Sequence, residues 1–114
     1  MQQLEEKRKL KRYLIRLKVI DRETGALLGF AEDIHMGGMK VMSKQPIPAQ
    51  QELKVWLGKE DTHLKIPITI FRIWSSFMDT DPVVYYAGVH FINLTDAAMD
   101  SIQTLIDTEE GKPF

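Results

Sequence analysis

Short runs of alternating apolar and polar residues, separated by polar turns, constrain the fold of this chain more than any other feature. Successive side chains of a β-strand point to opposite faces, so a period of two predicts strands with one buried face. In one run, for example, Leu64, Ile66, Ile68 and Ile70 share a face. Six such runs predict six strands, at residues 13–20, 26–34, 39–42, 52–57, 64–70 and 84–92.

The last part of the chain has helical periodicity instead. Thr95 is a suitable N-cap and Asp96 favours the positive end of the helix dipole, while Gly111 and Pro113 end the helix. Apolar residues fall on one helical face, namely Met99, Ile102, Leu105 and Ile106. We therefore predict an all-β domain, a six-stranded antiparallel barrel or sandwich, with a C-terminal α-helix at about 95–109 packed on it.

Two irregularities are expected in the fifth strand. Pro67 has no backbone N–H to donate, so it requires an edge position or a bulge. After Ile70 the apolar residues shift to Phe71 and Ile73, which predicts a β-bulge in this part of the strand.

Composition limits the possible functions. A chain of 114 residues forms one domain, and the absence of cysteine excludes disulfides, thiol nucleophiles and cysteine-ligated metals. No apolar run approaches the roughly 18 residues that span a bilayer, and the first residues lack the apolar stretch of a secretory signal. We expect a cytoplasmic protein that does not insert into membranes.

Catalytic signatures are missing from the sequence. The three histidines make no HExxH pair or other metal-ligand spacing, and no phosphate-binding glycine loop or nucleophile elbow is present. Glu32 and Asp33 are neighbours in a predicted strand, so they should face apart and not act on one bond. We expect no enzyme, no metal and no cofactor.

Positive charge is concentrated near the N-terminus. Residues 7–18 hold seven of the 15 basic side chains, although the net charge of the chain is -1. We interpret residues 1–11 as a flexible basic arm and residues 12–114 as the barrel domain. Such a cluster either faces an anion or stays solvated.

Single-stranded nucleic acid is one possible anionic ligand, because small barrels bind it with a basic groove and exposed aromatic rings. Most aromatic residues here alternate as core residues do, and the rest of the chain is acidic. We therefore expect no nucleic-acid partner. Strong salt dependence would distinguish this alternative from the others.

Two short motifs occur in order, about one hairpin apart. Arg8 and Arg12 form an RxxxR unit before the first strand, and the segment DIHMGG, from Asp33 to Gly38, follows the second strand. The chain resembles the PilZ family, whose signature is RxxxR followed by [D/N]xSxxG. The segments MKVMSKQPIP and Gly88–Phe91 and the terminal helix also resemble that family, so the resemblance covers essentially the whole chain.

The resemblance implies a six-stranded split barrel of PilZ type that binds cyclic di-GMP in bacterial second-messenger signalling and catalyses no reaction. It implies that Arg8 and Arg12 grip phosphate or guanine with their forked guanidinium groups and that Asp33 accepts hydrogen bonds from a guanine edge. Gly38 would allow a close backbone approach or a positive φ angle; Gly37 is not itself a motif position. Arg12 and Arg16 also form an RxxxR unit, but Arg16 lies well inside the first predicted strand.

The sequence departs from the family at one motif position, where His35 replaces the serine. Histidine is larger, and it could crowd the ligand or replace the serine by hydrogen bonding or stacking. Two hypotheses follow. The first is a cyclic di-GMP receptor in which Arg8, Arg12, Asp33, His35 and Gly38 bind the nucleotide and the ordered arm alters an unidentified protein partner. The alternative is a degenerate adaptor that binds proteins without the nucleotide.

Overall fold

The computed structural model describes residues 16–59 and 63–109. The predicted arm and its boundary with the barrel, at residues 11 and 12, therefore lie outside the described residues. The elements in chain order are β1 Leu17–Asp21, β2 Leu27–His35, β3 Gly38–Ser43, β4 Glu52–Lys59, β5 Lys65–Met78, β6 Val84–Ile92 and α1 Asp96–Glu109. The six strands and the C-terminal helix are confirmed, but β5 continues to Met78, well beyond its predicted end at residue 70. The predicted start of the first strand at residue 13 and the helix stop at Gly111 and Pro113 lie outside the described residues.

All neighbouring strands are antiparallel, and they close into a barrel in the order β1-β2-β3-β6-β5-β4. Pairing of β1 with β4 completes the ring, which decides between the predicted barrel and sandwich. In this order β3 and β4 lie on opposite sides of the barrel. The connection between them carries Ile47, which is buried and whose carbonyl accepts a hydrogen bond from Arg72 Nη1 at 2.8 Å.

The core follows the alternation of the sequence. Ile66, Ile68 and Ile70 of β5 all point inward and are buried. The other strands contribute inward-facing aliphatic residues, and these are Leu17, Val19, Ala31, Val41, Val55, Leu57, Ala87 and Val89. Burial of such side chains is the main term that stabilises a domain of this size.

Helix α1 packs against β5. Its N-cap is confirmed, because Thr95 Oγ1 accepts a hydrogen bond from the Ala98 N–H at 3.0 Å. The predicted apolar face is wrong at one position. Met99 is 37% exposed, whereas Ala98 and Ile102 are buried. The buried face of the helix therefore begins at Ala98, one residue earlier than predicted.

Strand β5 contains both predicted irregularities. Pro67 lies opposite Trp56 of β4, and pairing of β5 with β6 begins only at Thr69. Pro67 is thus at a local edge, as its missing N–H requires. The predicted bulge after Ile70 is also confirmed, and it occurs between Arg72 and Trp74.

The aromatic residues do not form the core, and the expectation that most of them would do so is wrong. None of the eight aromatic side chains among the described residues is fully buried. Trp74 and Phe77 are 45% and 62% exposed. Aliphatic residues fill the core, and Phe91 is the one described aromatic residue that packs against it, partly buried.

Candidate functional site

A cleft of about 410 Å³ lies on the outside of the barrel, where the end of β2 meets β3, β6 and β5. Two predicted site residues, Asp33 and His35, line it. The complete lining is Asp33, His35, Met39, Lys40, Ile73, Trp74, Gly88, Val89 and His90.

The floor of the cleft is a row of residues paired across three strands. Lys40 lies opposite Gly88, which lies opposite Trp74. The next row includes Val41 and Ala87, which are buried in the core. Because side chains alternate between the faces, Lys40 and Trp74 point outward.

The bulge in β5 is the reason that Trp74 faces the cleft. Ile70 points into the core, and regular alternation would also turn residue 74 inward. The register shift between Arg72 and Trp74 reverses the alternation. The bulge thus re-aims an aromatic side chain at the cleft, a contribution that the sequence motifs did not reveal.

Trp74 packs directly on Gly88. A Cβ atom at residue 88 would overlap the indole atoms Nε1, Cε2 and Cδ1 of Trp74. Only glycine therefore lets the ring lie against β6. The ring remains 45% exposed, so it offers an aromatic surface on which a planar ligand can stack.

Asp33 occupies a bulge of its own. Its φ is 52°, and the register between β2 and β3 shifts between Glu32 and His35. Aspartate tolerates this left-handed conformation better than most residues. The Asp33 Oδ2 and Glu32 Oε1 atoms lie 3.6 Å and 3.9 Å from Nζ of Lys40. The expectation that these two carboxylates face apart is wrong, because the bulge brings both to one ammonium group.

His35 forms the turn that follows β2. Its Nδ1 accepts a hydrogen bond from the Gly37 N–H at 2.9 Å, the same contact with residue i+2 that a serine hydroxyl makes in such turns. The Gly37 carbonyl in turn accepts from the Phe91 N–H of β6 at 3.0 Å. The imidazole therefore makes a hydrogen bond that a serine hydroxyl could also make, while its ring lines the cleft.

Gly38, the third predicted site residue among the described ones, does not line the cleft. It lies in the β3–β6 pairing, opposite His90. It is buried, and a Cβ atom there would overlap the backbone carbonyl of Val89. Among the described glycines only Gly25 has a positive φ angle, so Gly38 does not need glycine for that reason. Of the two predicted reasons for glycine, a close backbone approach is therefore the one that applies.

Of the arginines in the two candidate RxxxR units, only Arg16 is among the described residues. Arg8 and Arg12 lie outside the described residues. Arg16 is exposed, and its Cζ lies 4.7 Å from the ring centroid of Phe30. This cation–π contact places Arg16 on the outer surface of the barrel.

The cleft combines hydrogen-bond acceptors, a cation and aromatic rings. The sequence motifs identified Asp33 and His35 but missed Lys40, Trp74 and His90. Lys40 belongs to a segment that resembles the family, and Trp74 follows a break in alternation, which was the only signal for it. Such a set can bind a planar, polar and anionic ligand. Among the described residues, no group of three histidine or acidic side chains could hold a metal ion.

The family model of the PilZ domain matches residues 3–108. The chain belongs to the PilZ domain family. The match covers the described barrel, the helix up to residue 108 and the arginine motif near the N-terminus. No curated protein matches the sequence of this PilZ domain.

Solved structures share the fold at low identity. The Bacillus subtilis inhibitor of motility, MotI/DgrA, is 14% identical with a TM-score of 0.70 over 93% of this chain and 52% of that chain. The cyclic di-GMP complex of the PilZ domain of Escherichia coli YcgR is 14% identical, with a TM-score of 0.68 and 92% of both chains covered. Borreliella burgdorferi PlzA in complex with cyclic di-GMP is 10% identical, with a TM-score of 0.56 over 98% of this chain and 50% of that chain.

This PilZ domain thus spans about half the length of the MotI/DgrA and PlzA chains and nearly the whole of the YcgR domain. Within the described residues, no helix has the length and apolar character needed to cross a membrane.

Proposed function

We propose that this PilZ domain is a cytoplasmic, non-catalytic receptor for cyclic di-GMP that regulates a protein partner. One observation carries the proposal: the motif residue Asp33 lines an outer cleft together with Lys40 and the exposed ring of Trp74. Family membership and the nucleotide in the similar YcgR and PlzA complexes support it.

The guanine base fits the polar and aromatic parts of the cleft. The N1–H and N2–H₂ groups of guanine are donors on one edge, and a carboxylate such as Asp33 accepts from both. The Trp74 ring offers a stacking surface; base–aromatic stacking is worth about 1–3 kcal/mol per base. Asp33 supplies selectivity for guanine, and Trp74 supplies affinity for any base.

The phosphates require cations. Lys40 is the cation on the floor of the cleft, and its ammonium group already lies near two carboxylates. Because the ammonium group is a compact charge on a flexible side chain, Lys40 can contact a phosphate oxygen as well as these carboxylates. We assign the bidentate phosphate or guanine contacts to Arg8 and Arg12, because an arginine fork matches both groups.

Arg12 provides the test of the arginine motif. We expect Arg12→Ala to weaken binding of cyclic di-GMP by roughly ten- to hundredfold, the loss of a charge-assisted hydrogen bond of about 1.5–3 kcal/mol. Arg16→Ala is the matched control, since Arg16 lies over Phe30 and should leave the affinity within about twofold. Fluorescence or calorimetric titration measures both. If Arg16→Ala is the more damaging change, the motif is Arg12/Arg16 instead.

His35 is expected to permit nucleotide binding. His35→Ser should keep the turn, because the hydroxyl can accept the Gly37 N–H as Nδ1 does. The smaller side chain also widens the cleft, so we expect affinity equal to that of the parent or a few times tighter. A substantial loss of affinity, measured by titration at constant ionic strength, would show instead that the imidazole itself contacts the ligand.

Regulation follows from ordering of the basic arm. A nucleotide held by both the arm and the cleft would fix the arm against the barrel and change the surface that a partner meets. Ordering costs free energy, so only the remainder appears as affinity. The neighbour named as an inhibitor of motility makes a motility component one candidate partner.

A protein adaptor that ignores the nucleotide is the second candidate. It is favoured by the replacement of the motif serine with His35, whose ring lines the cleft. Pull-down from a bacterial lysate, with and without cyclic di-GMP, separates the two. A partner captured equally in both conditions supports the adaptor, whereas strict dependence on the nucleotide supports the receptor.

A further inference from the structure

Strand β5 is longer than its neighbour β4, and this leaves part of its edge without a strand partner. Pairing with β4 ends at Phe71, opposite Glu52. Beyond the bulge, β5 continues from Trp74 to Met78 and pairs only with β6. Within residues 16–59 and 63–109, no strand lies along the other side of this five-residue segment. Its outward backbone groups form a template for another strand.

The free edge is also apolar, and Pro46 and Ile47 of the β3–β4 connection lie near it, across a cavity of about 490 Å³ that they line with Ser75, Ser76 and Phe77. Ile73, Trp74, Phe77 and Met78 are 50%, 45%, 62% and 50% exposed, and they are four of the six exposed large hydrophobic residues in the described part of the chain. Natural edge strands are usually guarded by charges or proline, yet residues 73–78 contain neither. Such a concentration marks an interaction surface.

We propose that this edge pairs antiparallel with the same edge of a second copy, so that the six-stranded barrels form a two-fold dimer through β5. The two-fold axis that relates the two antiparallel edge strands is perpendicular to the sheet. The outer faces of the two barrels therefore lie on the same side of the joined sheet. Residues of the same face must then lie opposite each other. Pairing of all five residues after the bulge places the axis at Ser76.

The side chains suit this register. Ser76 lies opposite the partner's Ser76, Trp74 opposite the partner's Met78, and Phe77 opposite the partner's Ser75. Tyr86 donates a hydrogen bond to Sδ of Met78 at 3.5 Å, which places Met78 on the outer face with Trp74. Each ring therefore meets a small or flexible side chain, and methionine sulfur packs well on aromatic rings.

The charges at the ends of the segment are complementary in the same arrangement. Arg72, whose Nη1 already donates to the Ile47 carbonyl of its own chain, precedes the free segment, and Asp79 and Asp81 follow it. Antiparallel pairing brings the Arg72 end of one copy to the acidic end of the other, and no like charges lie opposite each other. A second copy thus fits this edge better than a strand of arbitrary sequence. The partner's Met78 would also border the cleft beside Trp74.

Sedimentation velocity on the intact chain without nucleotide tests the dimer. We expect the parent to reach twice the monomer mass at micromolar concentration, and Ser76→Lys to weaken association at least about tenfold, because two like charges would meet on the axis. Leu27→Lys is the control. Leu27 is 53% exposed on β2, which lies on the opposite side of the barrel, so this variant should dimerise like the parent.

Disulfide formation tests the register. The chain has no cysteine, and residues opposite each other in antiparallel strands have Cα atoms about 4.5–5.5 Å apart, within disulfide range. Ser76→Cys should give a covalent dimer on mild oxidation, and Leu27→Cys should not. A parent that stays monomeric at high concentration, a dimer that Ser76→Lys does not weaken, or absence of the Ser76→Cys product would each overturn the proposal.

Discussion

Replacement of Asp33 by glycine is expected to weaken cyclic di-GMP binding by more than about a hundredfold and to leave the barrel folded. The variant loses an acceptor for two donors of one guanine, each charge-assisted bond being worth about 1.5–3 kcal/mol. Glycine accepts the φ of 52° at this position without strain. The change therefore removes the carboxylate and not the bulge that presents it, and isothermal calorimetry measures the loss.

Two control variants assign this loss to the carboxylate of Asp33. Asp33→Asn keeps one acceptor and tolerates the same backbone conformation, so it should bind more tightly than Asp33→Gly. Glu32→Gln removes the other carboxylate near Lys40, and it should leave the affinity within a few fold. Equal binding by Asp33→Gly and the parent would remove Asp33 from the site.

Replacement of Gly38 by alanine is expected to lower the free energy of unfolding by about 3 kcal/mol, the upper part of the range for overpacking a well-packed interior. The added Cβ would overlap the Val89 carbonyl. Both strands are fixed at this point, because Gly38 lies in the β3–β6 ladder opposite His90. The urea midpoint, followed by tryptophan fluorescence, measures the change.

Gly58 offers a matched control for this variant. It is also a buried glycine in a strand, but a Cβ there would lie 3.6 Å from its nearest neighbour, the Leu64 carbonyl oxygen. Gly58→Ala should therefore change the unfolding free energy by less than about 1 kcal/mol. If both glycine variants have the stability of the parent, close backbone approach does not explain the glycine of the motif.

The regular parts of the fold were predictable because each follows from a local pattern. Alternation predicts the six strands and their inward-facing aliphatic residues, although it wrongly assigns most aromatic residues to the core. Thr95 predicts the start of the helix through its hydroxyl. The barrel order could not be derived from these patterns, because strand pairing depends on contacts between residues that are distant in sequence. The buried face of helix α1 also depends on tertiary packing, because the small residue Ala98 is buried and the larger Met99 is not.

The cleft was less predictable, because two bulges build it. Alternation alone turns Glu32 away from Asp33 and turns Trp74 into the core. The register shifts in β2 and β5 reverse both outcomes. Motif resemblance identified Asp33 and His35 without explaining how they reach a common surface. Lys40 and Trp74 enter the site only through pairing across the strands.

Calorimetric titration of the purified chain with cyclic di-GMP, with GTP as the control nucleotide, tests the central claim most directly. We expect saturable binding of cyclic di-GMP and no comparable binding of GTP, because the two guanines and two phosphates must contact the cleft and the arginine motif together. Absence of cyclic di-GMP binding by the folded parent would contradict the receptor function, leave the PilZ fold in place, and favour the adaptor.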